Sequence, residues 1–202
     1  MAHQFTTSYT ADSLALFRYY KKLVEGALEQ ITELGAGDGD FLLQVAKQIS
    51  PRWTNLNVAL LDRQKIVPPQ TLASFASLGW RAETVVGDVL DWPQAPAQIV
   101  IANLFLHHFE DTRLAELLRA ISERAELFIA VEPHRFRYAY PCGQLLWLIG
   151  CNAVTRHDAA VSVRAGFIRQ ELTALWPARQ NWRLTERRAG LFSHLFVARR
   201  IS

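Results

Sequence analysis

The chain has 202 residues, half of them hydrophobic and a fifth charged, with a formal net charge of +3. That length suits one domain with a substantial core, and no apolar run reaches the ~20 residues needed to span a bilayer. Met1 to Thr10 lacks a basic segment followed by an apolar one. Cys142 and Cys151 make neither a metal-ligand pair nor a disulfide framework, so a soluble cytoplasmic protein without a metal is expected.

Residues 12–28 carry apolar side chains at 14, 16, 17, 20, 23, 24, 27 and 28 behind Asp12, which predicts an amphipathic helix with Asp12 as N-cap. Short apolar runs follow at 31–34, 57–61, 99–102 and 127–131, with a weaker one at 82–86, as expected of strands covered on both faces. Helical patterns lie between them at 40–49, ended by Pro51, near 69–78, and at 111–122, where Asp111 can cap. Trp182 to Arg188 and Phe192 to Ala198, parted by Ala189-Gly190, predict a closing antiparallel pair. Such alternation predicts a mainly parallel sheet with helices on both faces and right-handed crossovers. Ligands bind beyond the carboxyl ends of such strands, so Gly35 to Gly39, Asp62, Asp88, Asn103 and Glu132 should face one cleft.

The glycine turn between the first strand and the following helix has its own chemistry. A helix N-terminus behind glycines favours an anion, yet Glu33, Asp38 and Asp40 crowd this turn and no Lys or Arg occurs between Lys22 and Lys47. Unit charges about 4 Å apart interact at roughly 4 kcal/mol at an effective dielectric near 20, so these carboxylates oppose a pyrophosphate and suit a cationic ligand. The spacing, G-x-G-x-G at Gly35, Gly37 and Gly39, also departs from the dinucleotide fingerprint, and position 40 is Asp.

Glu33-Leu-Gly-Ala-Gly-Asp-Gly resembles the first motif of class I S-adenosylmethionine-dependent methyltransferases, and the later strand ends match in order. Asp62 closes Val58-Ala-Leu-Leu-Asp, Gly87-Asp-Val follows the third strand, and Ile99-Val-Ile-Ala-Asn-Leu-Phe-Leu-His-His-Phe is similar to the fourth-strand motif of small-molecule members, such as those of ubiquinone and menaquinone biosynthesis. The resemblance covers roughly residues 12–132. It implies an α/β, Rossmann-like methyltransferase fold with a mainly parallel seven-stranded sheet and an antiparallel C-terminal strand. The chain then divides as one domain into an N-terminal helical segment (1–30), a cofactor core (31–132), an acceptor or lid segment (133–170), and a closing helix and strands (171–202). S-adenosylmethionine is the implied donor and S-adenosylhomocysteine the product. Glu33, Gly35, Ala36, Gly37 and Gly39 would face the methionine part, Asp62 with its neighbour Arg63 the ribose, Asp88 and the Val89 amide the adenine, and Asn103 and Leu104 the methionyl end.

Methyl transfer is a displacement at carbon that needs alignment, with a base if the acceptor is a neutral hydroxyl. His107 and His108 lie near the expected methyl position, and a histidine can take a phenolic proton. Glu132 can orient the substrate or a histidine, or cap the reversal at Pro133; His134 belongs to the same substrate segment. Farther on, Tyr138 to Asn152 can wall an apolar pocket, dock on a bilayer or be plain core, and His157, Asp158 and Arg164 fall in a candidate substrate loop. The expected acceptor is a small phenolic, quinol or polyketide-like molecule, methylated on oxygen, with carbon methylation, an RNA or protein methyltransferase and a non-catalytic cofactor-binding subunit as alternatives. No nucleic-acid partner is expected, because no prolyl-prolyl-aromatic motif follows the fourth strand and no basic stripe carries interleaved aromatics. Residues 1–130 hold 11 Lys/Arg against 15 Asp/Glu, while 131–202 hold 11 against 4. The basic distal part fits a carrier protein, a membrane surface or an anionic substrate, or equally a solvated face. A monomer or homodimer is expected.

Overall fold

The computed structural model describes residues 29–49, 53, 55–91, 97–135, 166–190 and 193–201. The expected helix at 12–28, the aromatic stretch at 138–152, both cysteines, His157, Asp158 and Arg164 lie outside the described residues. The chain runs β1 (Gln30–Leu34), α1 (Asp40–Ile49), β2 (Asn57–Asp62), α2 (Pro69–Ser77), β3 (Arg81–Val86), β4 (Ala97–Asn103), α3 (Asp111–Arg124), β5 (Ala125–Pro133), α4 (Glu171–Leu175), β6 (Trp182–Ala189) and β7 (Ser193–Arg200). The seven strands form one sheet in the order β3-β2-β1-β4-β5-β7-β6. β1 to β5 are parallel, β7 runs antiparallel to β5, and β6 antiparallel to β7. This is the Rossmann-like methyltransferase fold.

Alternation along the strands divides the core between two faces, as side chains of period two must. In β5, Leu127, Ile129 and Val131 join the cluster under α1 and α2, with Leu42, Val45, Phe75 and Trp80. Phe128 and Ala130 point the other way, to Leu114, Leu117, Leu118 and Ile121 of α3 and to Trp176 after α4. Both faces are covered, which is why the central strands read as continuous apolar runs. α3 starts at Asp111 with Glu110 as its N-cap residue and no side-chain cap bond. Asp111 is therefore inside the first turn, where its charge complements the helix dipole, rather than capping from outside.

The register brings the carboxyl ends of the strands into line. Leu34 pairs with Leu61 on one side and Ala102 on the other, Asp62 with Val86, Asn103 with Val131, and Glu132 with His194. Phe128 has no solvent exposure and lies between Trp176 (ring centroids 5.6 Å) and Phe196 (6.1 Å). Phe128→Ala should lower the unfolding free energy by about 3–5 kcal/mol in a urea titration; a loss below roughly 1 kcal/mol would show that this face of the sheet collapses freely around the deletion.

Candidate functional site

β1 ends in a turn whose three glycines all have positive φ, 65° at Gly35, 57° at Gly37 and 75° at Gly39, a region that costs other residues dearly. The turn is tied to its neighbour β2: Ala36 N–H donates to Leu61 O at 3.0 Å, and Gly37 N–H to Asp62 Oδ2 at 2.9 Å. The other Asp62 oxygen accepts from Gln64 N–H at 2.9 Å, so one carboxylate fixes both the turn and the loop after β2. A Cβ built on Gly37 would meet nothing within 4 Å, which leaves the backbone open on that side.

Two of the acidic residues that mark this turn serve the helix behind it. Asp38 Oδ1 accepts the Asp40 N–H at 3.1 Å, and Asp40 Oδ1 accepts the Gln44 amide at 3.0 Å. Glu33 differs. It is 2% exposed, and burial first, then the charges of Asp38, Asp40 and Asp62, push its carboxyl well above the usual range. Its Oε2 is buried without a hydrogen-bond partner, as is Oδ1 of Asn103 at the end of the adjoining β4. Buried polar atoms are nearly always satisfied, so a donor from a ligand fits here. Farther along the strand ends, Gly87 N–H donates to Asp62 O, and Asp88 Oδ1 accepts Leu90 N–H at 3.0 Å. Val89 opens the short 3-10 turn Val89–Asp91, and exposed Arg63 places Nε 3.8 Å from Asp88 Oδ2.

Beyond β4 the chain turns sharply. Leu104 adopts φ 53° and donates its N–H to Val131 O at 2.8 Å, and a 3-10 turn follows at Leu106–His108. Glu132, fully buried, holds this turn. Its Oε1 accepts from the N–H groups of Phe105 (3.0 Å) and Leu106 (2.8 Å), and its Oε2 from His107 N–H (3.4 Å). His107 Nδ1 lies 2.8 Å from the same Oε2. A carboxylate that gathers three backbone donors is an acceptor, so the shared proton is assigned to Nδ1 and the free lone pair to Nε2. His107 is nearly buried, at 5% side-chain exposure. His108 is exposed, stacks obliquely on His107 at 4.1 Å, and is held below its ordinary range by partial burial and by His107. Glu132 thus holds the turn and the His107 ring together through one carboxylate.

A second buried carboxylate–histidine pair, which sequence reasoning missed, lies next to it on the sheet. His194, 1% exposed, pairs Nε2 with Glu186 Oε1 at 2.8 Å. Burial would raise the Glu186 carboxyl, but hydrogen bonds from His194 and from the amides of Thr173 and Leu172 hold it below its usual range. The His134 ring stacks on His194 at 5.8 Å and 12°, and Nδ1 of each is buried without a partner. Burial, His194 and Arg188 keep His134 below its ordinary range. The only sequence trace of the pair was the alternation of β6 and β7, which says nothing of long-range partners. Phe105, also missed, follows Asn103-Leu104 directly and packs against Gly35.

Several of the distal arginines are engaged by backbone carbonyls or a carboxylate. Arg200 stacks on Trp182 at 4.6 Å and donates to Ser122 O and Ala125 O; Arg179 donates to Ala174 O and Trp176 O; Arg188 donates to Gly190 O; Arg135 pairs with Glu171. Among the described residues no three His, Cys, Asp or Glu side chains gather as a metal site, and no helix is long and apolar enough to cross a membrane.

No curated protein matches this sequence. Solved structures share its fold at low identity. A candidate O-methyltransferase from Nostoc punctiforme is 13% identical with a TM-score of 0.66, the alignment covering 98% of this chain and 58% of that one. An N,N-8-amino-8-demethyl-D-riboflavin dimethyltransferase from Streptomyces davawensis is 17% identical with a TM-score of 0.65, covering 99% and 56%. This chain therefore spans little more than half the length of those two proteins. Magnesium protoporphyrin IX methyltransferase from Synechocystis PCC 6803, with bound S-adenosylhomocysteine, is 14% identical with a TM-score of 0.63, covering 98% and 84%. The family model described as a methyltransferase domain matches residues 31–125, the stretch that supplies the glycine turn, Asp62, Asp88, Asn103 and both histidines. The likeness to methyltransferase domains thus lies in residues 31–125, a little under half of the chain, and the likeness of fold extends over nearly all of it.

Proposed function

We propose that the protein transfers a methyl group from S-adenosylmethionine to a hydroxyl of a small aromatic acceptor, a phenol or quinol, with His107 as general base. The observation that carries this reading is the Glu132–His107 pair at 2.8 Å, which engages Nδ1 and leaves the Nε2 lone pair for a proton. Bound S-adenosylmethionine supplies an electrophilic methyl on a sulfonium. The protein's part is to align donor and acceptor and to accept the hydroxyl proton at His107 Nε2. Glu132 acts as the positioning residue: with His107 Nδ1–H fixed upon it, the ring keeps one tautomer and one orientation.

The donor site follows the strand ends. Asp62, already fixing Gly37 and Gln64, keeps lone pairs for the ribose hydroxyls. Asp88 and the Val89 amide serve the adenine, with Arg63 at the rim. Glu33, Gly35, Ala36, Gly37, Gly39, Asn103 and Leu104 surround the methionine, whose ammonium is a donor of the kind that the unpartnered Glu33 and Asn103 oxygens lack. His134 offers its imidazole to the acceptor, and His157 and Arg164, outside the described residues, are further candidates for contacting it. Carbon methylation of a phenolate is the second reading, favoured by the same base. A small molecule is preferred over a carrier or membrane surface because the acceptors named for the structural neighbours are small molecules. The acceptors named for the structural neighbours, an amino-riboflavin and a magnesium protoporphyrin, support a ring compound.

Three outcomes test this reading. Calorimetry should show S-adenosylmethionine binding to the unmutated protein in the micromolar range, roughly the affinity range of cellular cofactors and substrates, and Asp62→Ala should weaken it at least tenfold, roughly the value of one lost charge-assisted contact; absence of binding would sink the donor site. In a screen of phenols and quinols with labelled donor, His107→Asn should lower kcat by roughly 10²- to 10⁴-fold with donor affinity intact, while His108→Asn stays near the parent rate. Equal turnover in all three proteins would remove the base. Glu33 has a raised folded-state pKa, so its contribution to stability is full below its unfolded value near 4.5 and is lost as pH rises toward the folded value. Denaturant midpoints of the parent should therefore fall relative to Glu33→Gln as pH climbs above that point; parallel pH curves for the two proteins would mean that Glu33 is not held neutral.

A further inference from the structure

Phe105 is fixed from three sides. A Cβ built on Gly35 would collide with Cγ, Cδ2 and Cε2 of the Phe105 ring, so the ring lies directly against the backbone of the donor turn. Phe109 packs edge-on against it at 5.0 Å and 73°, and the Phe105 N–H donates to Glu132 Oε1. The residue is only partly buried and stands two positions before His107. That is the region where a methyl donor and its acceptor must meet under the reading above.

The carboxylates of the turn are poorly placed to offer a full charge there. Asp38 and Asp40 serve the start of α1, Asp62 accepts two backbone N–H groups, and Glu33 is pushed toward its neutral form. An aromatic face, in contrast, carries the negative side of its quadrupole outward and attracts a cation without needing a counter-charge. We propose that Phe105 presents its ring to the sulfonium of the bound donor and so distinguishes charged S-adenosylmethionine from the neutral thioether product. The inference rests on the donor site proposed above and adds a residue that favours substrate over spent product.

The test is the ratio of dissociation constants for S-adenosylhomocysteine and S-adenosylmethionine, measured by calorimetry on the parent, Phe105→Leu and Phe105→Tyr. The ratio should fall by about 2- to 30-fold in Phe105→Leu, the range expected for loss of one cation–π contact, and stay at the parent value in Phe105→Tyr, which keeps the ring. A merely structural role would weaken both ligands together and leave the ratio unchanged, which would overturn the inference while leaving the donor site standing. Equal falls in the leucine and tyrosine variants would overturn it too. Failure of the parent to bind either ligand would overturn the donor site and this inference with it. Phe105→Met takes the place of leucine if that variant does not fold.

Discussion

A carboxyl group cut off from solvent must find its hydrogen bonds inside the protein, and Glu132 finds them all in one short turn. Its neighbour in the parallel sheet, β4, ends one register step earlier, so the chain leaving β4 passes directly over the carboxylate. Four donors from Phe105, Leu106 and His107 converge there. Removing any of them would leave a buried acceptor short of a partner, at a cost of about 1–3 kcal/mol or more for a charged group. That demand selects the turn's conformation, including the positive φ of Leu104, a strain of order 1–3 kcal/mol that persists only where surrounding contacts impose it. The histidine's orientation is thus a by-product of satisfying a carboxylate.

The donor side follows the same rule with a different acid. Asp62 ends β2, and the first-strand turn must approach it closely enough for Gly37 N–H to reach its carboxylate. Close approach needs residues without side chains on the inner path, and the collision that a Cβ on Gly35 would suffer with Phe105 shows how tight that path is. Two carboxylates, one after β2 and one in β5, therefore organise the two loops that face each other across the sheet's switch point, where β1 lies between β2 and β4.

Much of this was legible in the sequence because its signals are local. The runs at 31–34, 57–61, 99–102 and 127–131 are strands because burial on both faces leaves few polar positions, Thr32 and Glu33 being the buried exceptions, and the α1 range 40–49 follows from its period and the acidic start. Strand-end residues converge because parallel strands end on the same side. What escaped were choices made by long-range packing. Nothing in His107-His108 says which imidazole turns inward; only the carboxylate 25 residues away decides it. The weak β3 reading has a similar cause, since an edge strand with partly exposed residues lacks the continuous apolar run of a central one.

The Glu186–His194 pair shows how far such long-range satisfaction extends. Glu186 receives the first amides of α4, at Leu172 and Thr173, and a five-residue helix cannot be stable without help from its surroundings. His194 lies opposite Glu132 in the register of β5 and β7, and His134, just past the end of β5, stacks on it. The short helix, the antiparallel end of the sheet and the end of β5 are therefore joined through one buried imidazole. A change in β6 that frees Glu186 would be felt at His134, although the two residues belong to different parts of the chain. The antiparallel end thus does more than close the sheet: β7 brings His194 back against β5 at the level of Glu132.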